Sequence, residues 1–367
     1  SLIVHNKMAI LTWPSQTPVF MQSTYLTSTT GTAMRSGTTS DSGGSVSCVA
    51  SKSDQVFTLY ENKIDSSACE SNVYKFYYAS TNSVAYACPS MGVYLGTATT
   101  ISESTAVKNG GAIFANLCSV EMSSTTILNG TSLTGEGGAV MVSVESSLRV
   151  DGASLMRNNH AEQGSGGAVS CQKCAFMQFN GSIVFRSNIA QVNGGALKIE
   201  SPKNPVISTG SLFVSNTAKE GNGGAVHSYY GTWESIGDRF ETNTATAGSG
   251  GAFSSFGSPL SFDETTSCSG NSAIKGGGGC ILWEPEATDI DDPKWNILKP
   301  VIGNMELITD VPTASLYGQK LATPAVSLGV VSMERMTTNN INILSPLFPT
   351  VKLLDLNKSV IQGAFAD

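Results

Sequence analysis

Pairs of adjacent glycines recur at a near-constant interval along most of this 367-residue chain. They begin at positions 43, 110, 137, 166, 194, 223, 250 and 278, so from 110 onward the steps are 27, 29, 28, 29, 27 and 28 residues. A fixed period in this range marks a solenoid or a propeller, in which no single repeat can bury its apolar face alone. The local text repeats as well: Gly137-Gly138-Ala139-Val140, Gly166-Gly167-Ala168-Val169, Gly194-Gly195-Ala196-Leu197 and Gly223-Gly224-Ala225-Val226. After each small residue comes an apolar one, then a mixed position, then a small or apolar one. That pattern predicts a short strand of period two, with one side chain in, one out and one in. The glycines are expected to supply positive φ and a close backbone approach at the bend that feeds it.

A second motif precedes the glycine pair: Phe185-x-x-Asn188-x-Ala190, Phe213-x-x-Asn216-x-Ala218 and Phe240-x-x-Asn243-x-Ala245, with weaker copies around Asn159 and Asn271. If one repeat makes one coil, Phe185, Phe213 and Phe240 stack into an interior aromatic column. The five asparagines Asn159, Asn188, Asn216, Asn243 and Asn271 then form an amide ladder at a bend. Asparagine also tolerates the left-handed backbone that bends require. Two short strands in about 28 residues fit an all-β, right-handed parallel β-helix of about seven coils. A propeller blade needs four strands and roughly 40 residues.

The chain divides into an N-terminal cap (1–42), β-helix repeats (43–283, with an insertion at about 55–95) and a C-terminal linker with a β-rich extension or partial sandwich module (284–367). Strand-like text in the extension lies at 325–331 and 351–356. The opening Ser1-Leu2-Ile3-Val4 reads as a processed end or the edge of a fragment.

Hydrophobic residues make up 40% of the chain, enough for a core, while a net charge of −7 makes nucleic acid an improbable partner. No run approaches 18 consecutive apolar residues, so no transmembrane helix is expected. The eight cysteines are even in number, and three sequons stand at Asn129, Asn180 and Asn357. Together they favour an extracellular or cell-surface setting with disulfides and attached glycans. Cys171 with Cys174, and Cys268 with Cys280, are the close candidates for bridges. Cys69 with Cys88 would close the insertion, leaving Cys48 for Cys118, among 105 connectivities that eight cysteines allow.

These residues carry a resemblance. Gly-Gly-Ala-[Ile/Val/Leu] alternating with Phe-x-x-Asn resembles the repeat of the polymorphic outer-membrane protein family, over residues 100–283 with a vestige at Gly43-Gly44-Ser45-Val46. Similar repeats occur in large surface proteins of algae and other protists. The resemblance implies a β-helical surface protein with adhesive or structural duties rather than a catalyst. The chain departs from the family in having no C-terminal run of alternating amphipathic strands ending in an aromatic, so the resemblance carries no anchoring barrel over to it.

Many parallel β-helices cleave polysaccharides, using two or three carboxylates on neighbouring coils with Arg or Lys nearby. Aligning coils on the asparagines gives one charged column, Arg157, Arg186, Val214, Glu241 and Ser269, which a solvated face explains. Asp238, Asp263 and Glu264 share no column. His5, His160 and His227 sit apart, with His227 in an outward strand slot and read as a surface residue. Asp289, Asp291 and Asp292 lack the glycine and glutamate of a calcium loop, and Cys171-x-x-Cys174 lacks the second pair that zinc needs. No catalytic, metal or cofactor site is expected. The expected function is a non-enzymatic extracellular structural or adhesive protein, a glycosylated building block that associates end to end with itself or with neighbouring modules. A polysaccharide lyase or hydrolase on the same scaffold is the alternative.

Overall fold

The computed structural model of the chain describes residues 42–46, 95–96, 98–286, 299–309 and 317–323 with their side chains, and the backbone of further strands between Ala9 and Leu354. The architecture is all-β: parallel sheets wind into a β-solenoid whose turns lie about 28 residues apart. Each turn contributes four short strands rather than the two expected. In one coil these are Leu197–Glu200, Val206–Thr209, Leu212–Val214 and Thr217–Ala218. The next coil places Val226–Tyr229, Trp233–Ile236, Arg239–Glu241 and Thr244–Ala245 beside them in parallel register. Strands of two to four residues are too short for a period-two pattern to reveal them all, which is why the sequence shows only half. We number the faces one to four, starting from the strand that follows the glycine pair.

The corners of the coil turn on residues with left-handed backbone, the one after Leu260–Phe262 excepted. After face one these are Glu145, Lys173, Ser201 and Tyr230, and after face three Asn129, Asn158, Ser187, Ser215 and Thr242, with φ between 47° and 60°. The ladder asparagines themselves are not among them. The left-handed residue is the one immediately before, so the asparagine side chain is left free to work between coils.

The glycine pair divides its labour. The first glycine is left-handed, with φ of 62° at Gly194 and 70° at Gly223. The second is needed for space. A Cβ on Gly195 would lie 2.1 Å from the Gly224 carbonyl oxygen, and one on Gly224 2.0 Å from that of Gly251. No side chain fits between backbones this close, so the repeat cannot drift at this corner.

Inside, Phe185, Phe213 and Phe240 are fully buried and stack with centroids 4.8 Å apart and planes within 6°. Met156 and Cys268 continue the column at either end. The asparagine ladder runs beside it. From Asn188 onward each Oδ1 accepts twice from the preceding coil: Asn216 Oδ1 receives the Asn188 backbone N–H at 3.0 Å and Asn188 Nδ2 at 2.9 Å. Among the described residues Asn159 Oδ1 accepts the Gly130 N–H alone. Each Nδ2 donates twice: Asn216 Nδ2 reaches Asn243 Oδ1 and the Phe185 carbonyl, both at 2.9 Å. The pattern extends from Asn159 to Asn271, and all five asparagines have no exposed surface.

Four strands of the segment expected as an N-terminal cap add to the stack. Ala9–Thr12, Tyr25–Ser28, Ala33–Arg35 and Thr38–Thr39 each pair in parallel with a strand of a different face. The insertion is a separate antiparallel sheet of Thr58–Tyr60, Tyr74–Tyr78 and Ser83–Cys88. Beyond the expected end of the repeats, Val301–Ile302, Ser315–Tyr317 and Leu321–Ala322 add to faces two, four and one. An antiparallel pair, Ser327–Arg335 with Leu347–Leu354, forms the extension.

Two stability series test these roles by urea denaturation. Gly195→Ala is expected to cost about 3 kcal/mol, the upper end of an overpacking penalty. Gly210→Ala, at a left-handed position that Gly195 is not, but with no atom within 3.4 Å of the added Cβ, should cost about 1 kcal/mol. Asn216→Ala strands two donors of Asn188 and the Phe185 carbonyl and should cost about 4 kcal/mol. Asn216→Asp, which keeps the acceptors but turns Nδ2 into a third acceptor facing two others, should be no milder.

Candidate functional site

The outer side of face one concentrates the polar chemistry. Its first outward column reads Met141, Ser170, Lys198, His227, Ser254 and Leu282, and its second Ser143, Gln172, Glu200, Tyr229, Phe256 and Glu284. The sequence pattern places the first column in solvent; the structure buries it. Ser170 and Ser254 have no exposed surface, and Lys198 and His227 have 7% and 8%. The cause is the glycine bend, which folds the residues just before each pair back alongside this column. A Cβ on Gly166 would lie 3.1 Å from Ser170 Cβ, and Glu136, next to Gly137, reaches across two coils.

Glu136 accepts from Ser170 Oγ at 2.7 Å and from Lys198 Nζ at 3.1 Å through each carboxylate oxygen. Lys198 Nζ also pairs with Glu200. One ammonium thus holds two carboxylates, in a place where taking charge from water demands such pairing. His227 follows Lys198 in the column, and burial first, then the Lys198 charge, push its pKa down to about 4. It is therefore a neutral imidazole at pH 7, and its Nδ1 and the Ser254 Oγ beside it have no hydrogen-bond partner. The surface reading of His227 is corrected accordingly.

Next to this network stand three aromatic rings. Tyr229 and Phe256 stack at 5.1 Å with planes 12° apart, and Tyr230 packs edge-on against both at 4.5 and 5.5 Å. Glu284 ends the column; burial raises its carboxyl above the usual range.

A second carboxylate pair lies between faces two and three. Asp238 is buried and accepts from the Ser211 N–H at 2.8 Å and from Ser235 Oγ. Desolvation outweighs these bonds and raises its pKa to about 7, with a smaller push from Asp263 on the next coil. Asp263 accepts from Gly237 N–H and Thr266 Oγ1 at 3.0 and 2.7 Å. The two carboxylates, unaligned in sequence, are brought near each other by the structure and spent on backbone donors.

The expected charged column is present on face three: Arg157, Arg186, Val214, Glu241 and Ser269 are successive register partners, and both arginines are exposed. Cys171 is bonded to Cys174 and Cys268 to Cys280, all four fully buried. Cys118 is also disulfide-bonded; the pairings with Cys48, and of Cys69 with Cys88, fall outside the described side chains. Asn129 and Asn180 are exposed at corners, and His160 is half-buried. Asn357, His5, Asp289, Asp291 and Asp292 lie outside the described residues. Among the described residues no group of three His, Cys, Asp or Glu side chains converges as a metal would need.

Comparison of the chain with protein-family models, with curated proteins and with solved structures found no match.

The two buried titrating groups act in opposite directions. Asp238 binds its proton more tightly folded than unfolded, so its contribution is present below pH 3.8 and is lost as pH rises to about 7. His227 binds its proton less tightly folded, so stability from it grows between about pH 4 and 6.5. Asp238→Asn should therefore gain stability relative to the parent as pH rises from 4 to 8 in thermal melts. A difference that stays flat over this range would show that Asp238 is charged in the folded state.

Proposed function

We propose that the chain is a non-enzymatic extracellular structural or adhesive protein whose coils associate end to end with further copies or modules. The observation that carries this reading is the state of the last coil. Val301–Ile302 is the final strand of face two among the described residues, so one edge of its backbone has no neighbour. Val301 is 63% and Met305 40% exposed there, apolar surface beside an open edge. An edge of this kind templates another strand, and a contact between unlike ends does not close, so it propagates into a filament. The buried bridges Cys171–Cys174 and Cys268–Cys280 support an oxidising, extracellular setting. The exposed sequon residues Asn129 and Asn180 support attached glycans, and the resemblance of the repeat to the polymorphic outer-membrane proteins points the same way.

The alternative, a polysaccharide-active enzyme, draws on Glu136 and Glu200, two carboxylates that converge on Lys198. General acid and base work needs carboxylates free to exchange protons with substrate. Here one lysine pairs with both, and the neighbouring imidazole is 8% exposed. These features weigh toward a structural network.

Size-exclusion chromatography with light scattering, and electron microscopy, test the leading reading. The chain should form linear assemblies that lengthen with concentration, and Val301→Glu should shorten them. Monomers at every concentration would overturn it, and turnover of a polysaccharide that is lost in Glu200→Gln would favour the alternative.

A further inference from the structure

Face three carries a patch that the coil itself leaves unused. Leu155, Val184 and Leu212 form one outward column on successive strands and are only half-buried. Arg157 and Arg186 stand beside them, exposed, and neither guanidinium has a hydrogen bond or ion pair among the described residues. Aliphatic surface flanked by unpaired guanidinium groups suits a partner that is both aromatic and acidic, because arginine stacks on ring faces and pairs with carboxylates.

Face one offers that combination. Tyr229 is 37% exposed, and with Phe256 and Tyr230 it forms a ridge of packed rings. Glu284 follows Phe256 in the same column. Burial raises its carboxyl, and among the described residues no hydrogen bond or cation offsets the loss of water. A carboxylate in that condition gains from an incoming guanidinium.

We propose that a second copy of this chain docks the Arg157–Arg186 side of its face three onto the Tyr229–Phe256–Glu284 ridge of face one, joining solenoids side by side. The two patches share a ruler. Arg157 and Arg186 are register partners on adjacent strands, as are Tyr229 and Phe256, so both pairs repeat at about 4.8 Å. One guanidinium can then meet each rung of the ridge while Leu155, Val184 and Leu212 cover the rings. The patches differ, so after one contact each copy still has its other patch free, and the contact builds laterally aligned rods rather than a closed dimer. This contact uses neither end of the coil and stands apart from the end-to-end reading; it shares with that reading only the assumption that copies meet.

Sedimentation velocity on the full chain carrying Val301→Glu, which blocks the end contact and leaves both sides intact, isolates the side contact. Association should persist in this background and weaken at least tenfold between low and high salt, because the pairing is ionic at its rim. Arg157→Glu with Arg186→Glu should weaken it at least tenfold, and so should Tyr229→Ser with Glu284→Gln. Each double variant keeps one intact patch, so mixing the two should restore a one-to-one complex that neither forms alone. Circular dichroism identical to the parent establishes that the substitutions leave the fold intact. Loss of all association with Val301→Glu alone would overturn the side contact while sustaining the end contact. Variants that associate as the parent does, or a mixture that stays monomeric, would overturn it as well.

Discussion

The closest constraint in the molecule is between backbones. At each coil the second glycine of the pair meets the carbonyl of its successor at a distance that excludes even a methyl group. Everything else follows from holding that corner fixed. With the corner in place, successive strands keep register on all four faces, like residues fall above like, and ladders become available. The asparagine ladder exploits this more fully than any other set of side chains. Inside the ladder an amide such as Asn216 satisfies both its donors and receives two bonds on its acceptor, so a polar column crosses the interior with its groups paired. Such chains of aligned amides polarise one another and act as a unit.

A second ladder at the glycine corner does the same work with less uniform residues. Asn193 Oδ1 accepts from the Asn222 N–H, Asn222 Oδ1 from the Ser249 N–H, and Ser249 Oγ from the Gly277 N–H, each at 2.8 to 3.0 Å. Asparagine and serine alternate irregularly here, because a single acceptor suffices where the ladder at Asn188 needs acceptor and donors together. The same corner shelters the outward column of face one, and so converts a surface position into an interior one. That conversion explains how a lysine and a histidine come to sit side by side with almost no exposure.

Much of the architecture was legible in the sequence, and for identifiable reasons. The glycine spacing fixed the coil length because only glycine fits both the left-handed bend and the close approach. Phe185, Phe213 and Phe240 advertised an interior column because a buried ring leaves no alternative residue of that shape. The four-strand coil was less visible, since a two-residue strand such as Thr217–Ala218 has no period to detect. The first coil was hidden for another reason: 9–39 lacks the glycine pair, so its strands join the stack without displaying the ruler. His227 was misread because alternation along a strand reports which way a side chain points, and not whether another segment covers it. The ion network escaped notice because Glu136 and Lys198 lie two coils apart, a separation of 62 residues that no local motif spans.

The bridge between Cys268 and Cys280 has a consequence for how such a stack comes apart. A solenoid is held coil by coil through nearest neighbours, so it loosens from its termini and the interior turns open last. Cys268 lies at the foot of the aromatic column, and Cys280 replaces the alanine of the glycine corner, twelve residues on. The crosslink therefore ties face three of one coil to the glycine corner that opens the next, near the C-terminal end, and limits what these turns can explore when their neighbours leave. The C-terminal side carries a covalent stop at its own last regular turn, and a rod pulled or proteolysed from that side yields its outermost segment before the bridged turns give way.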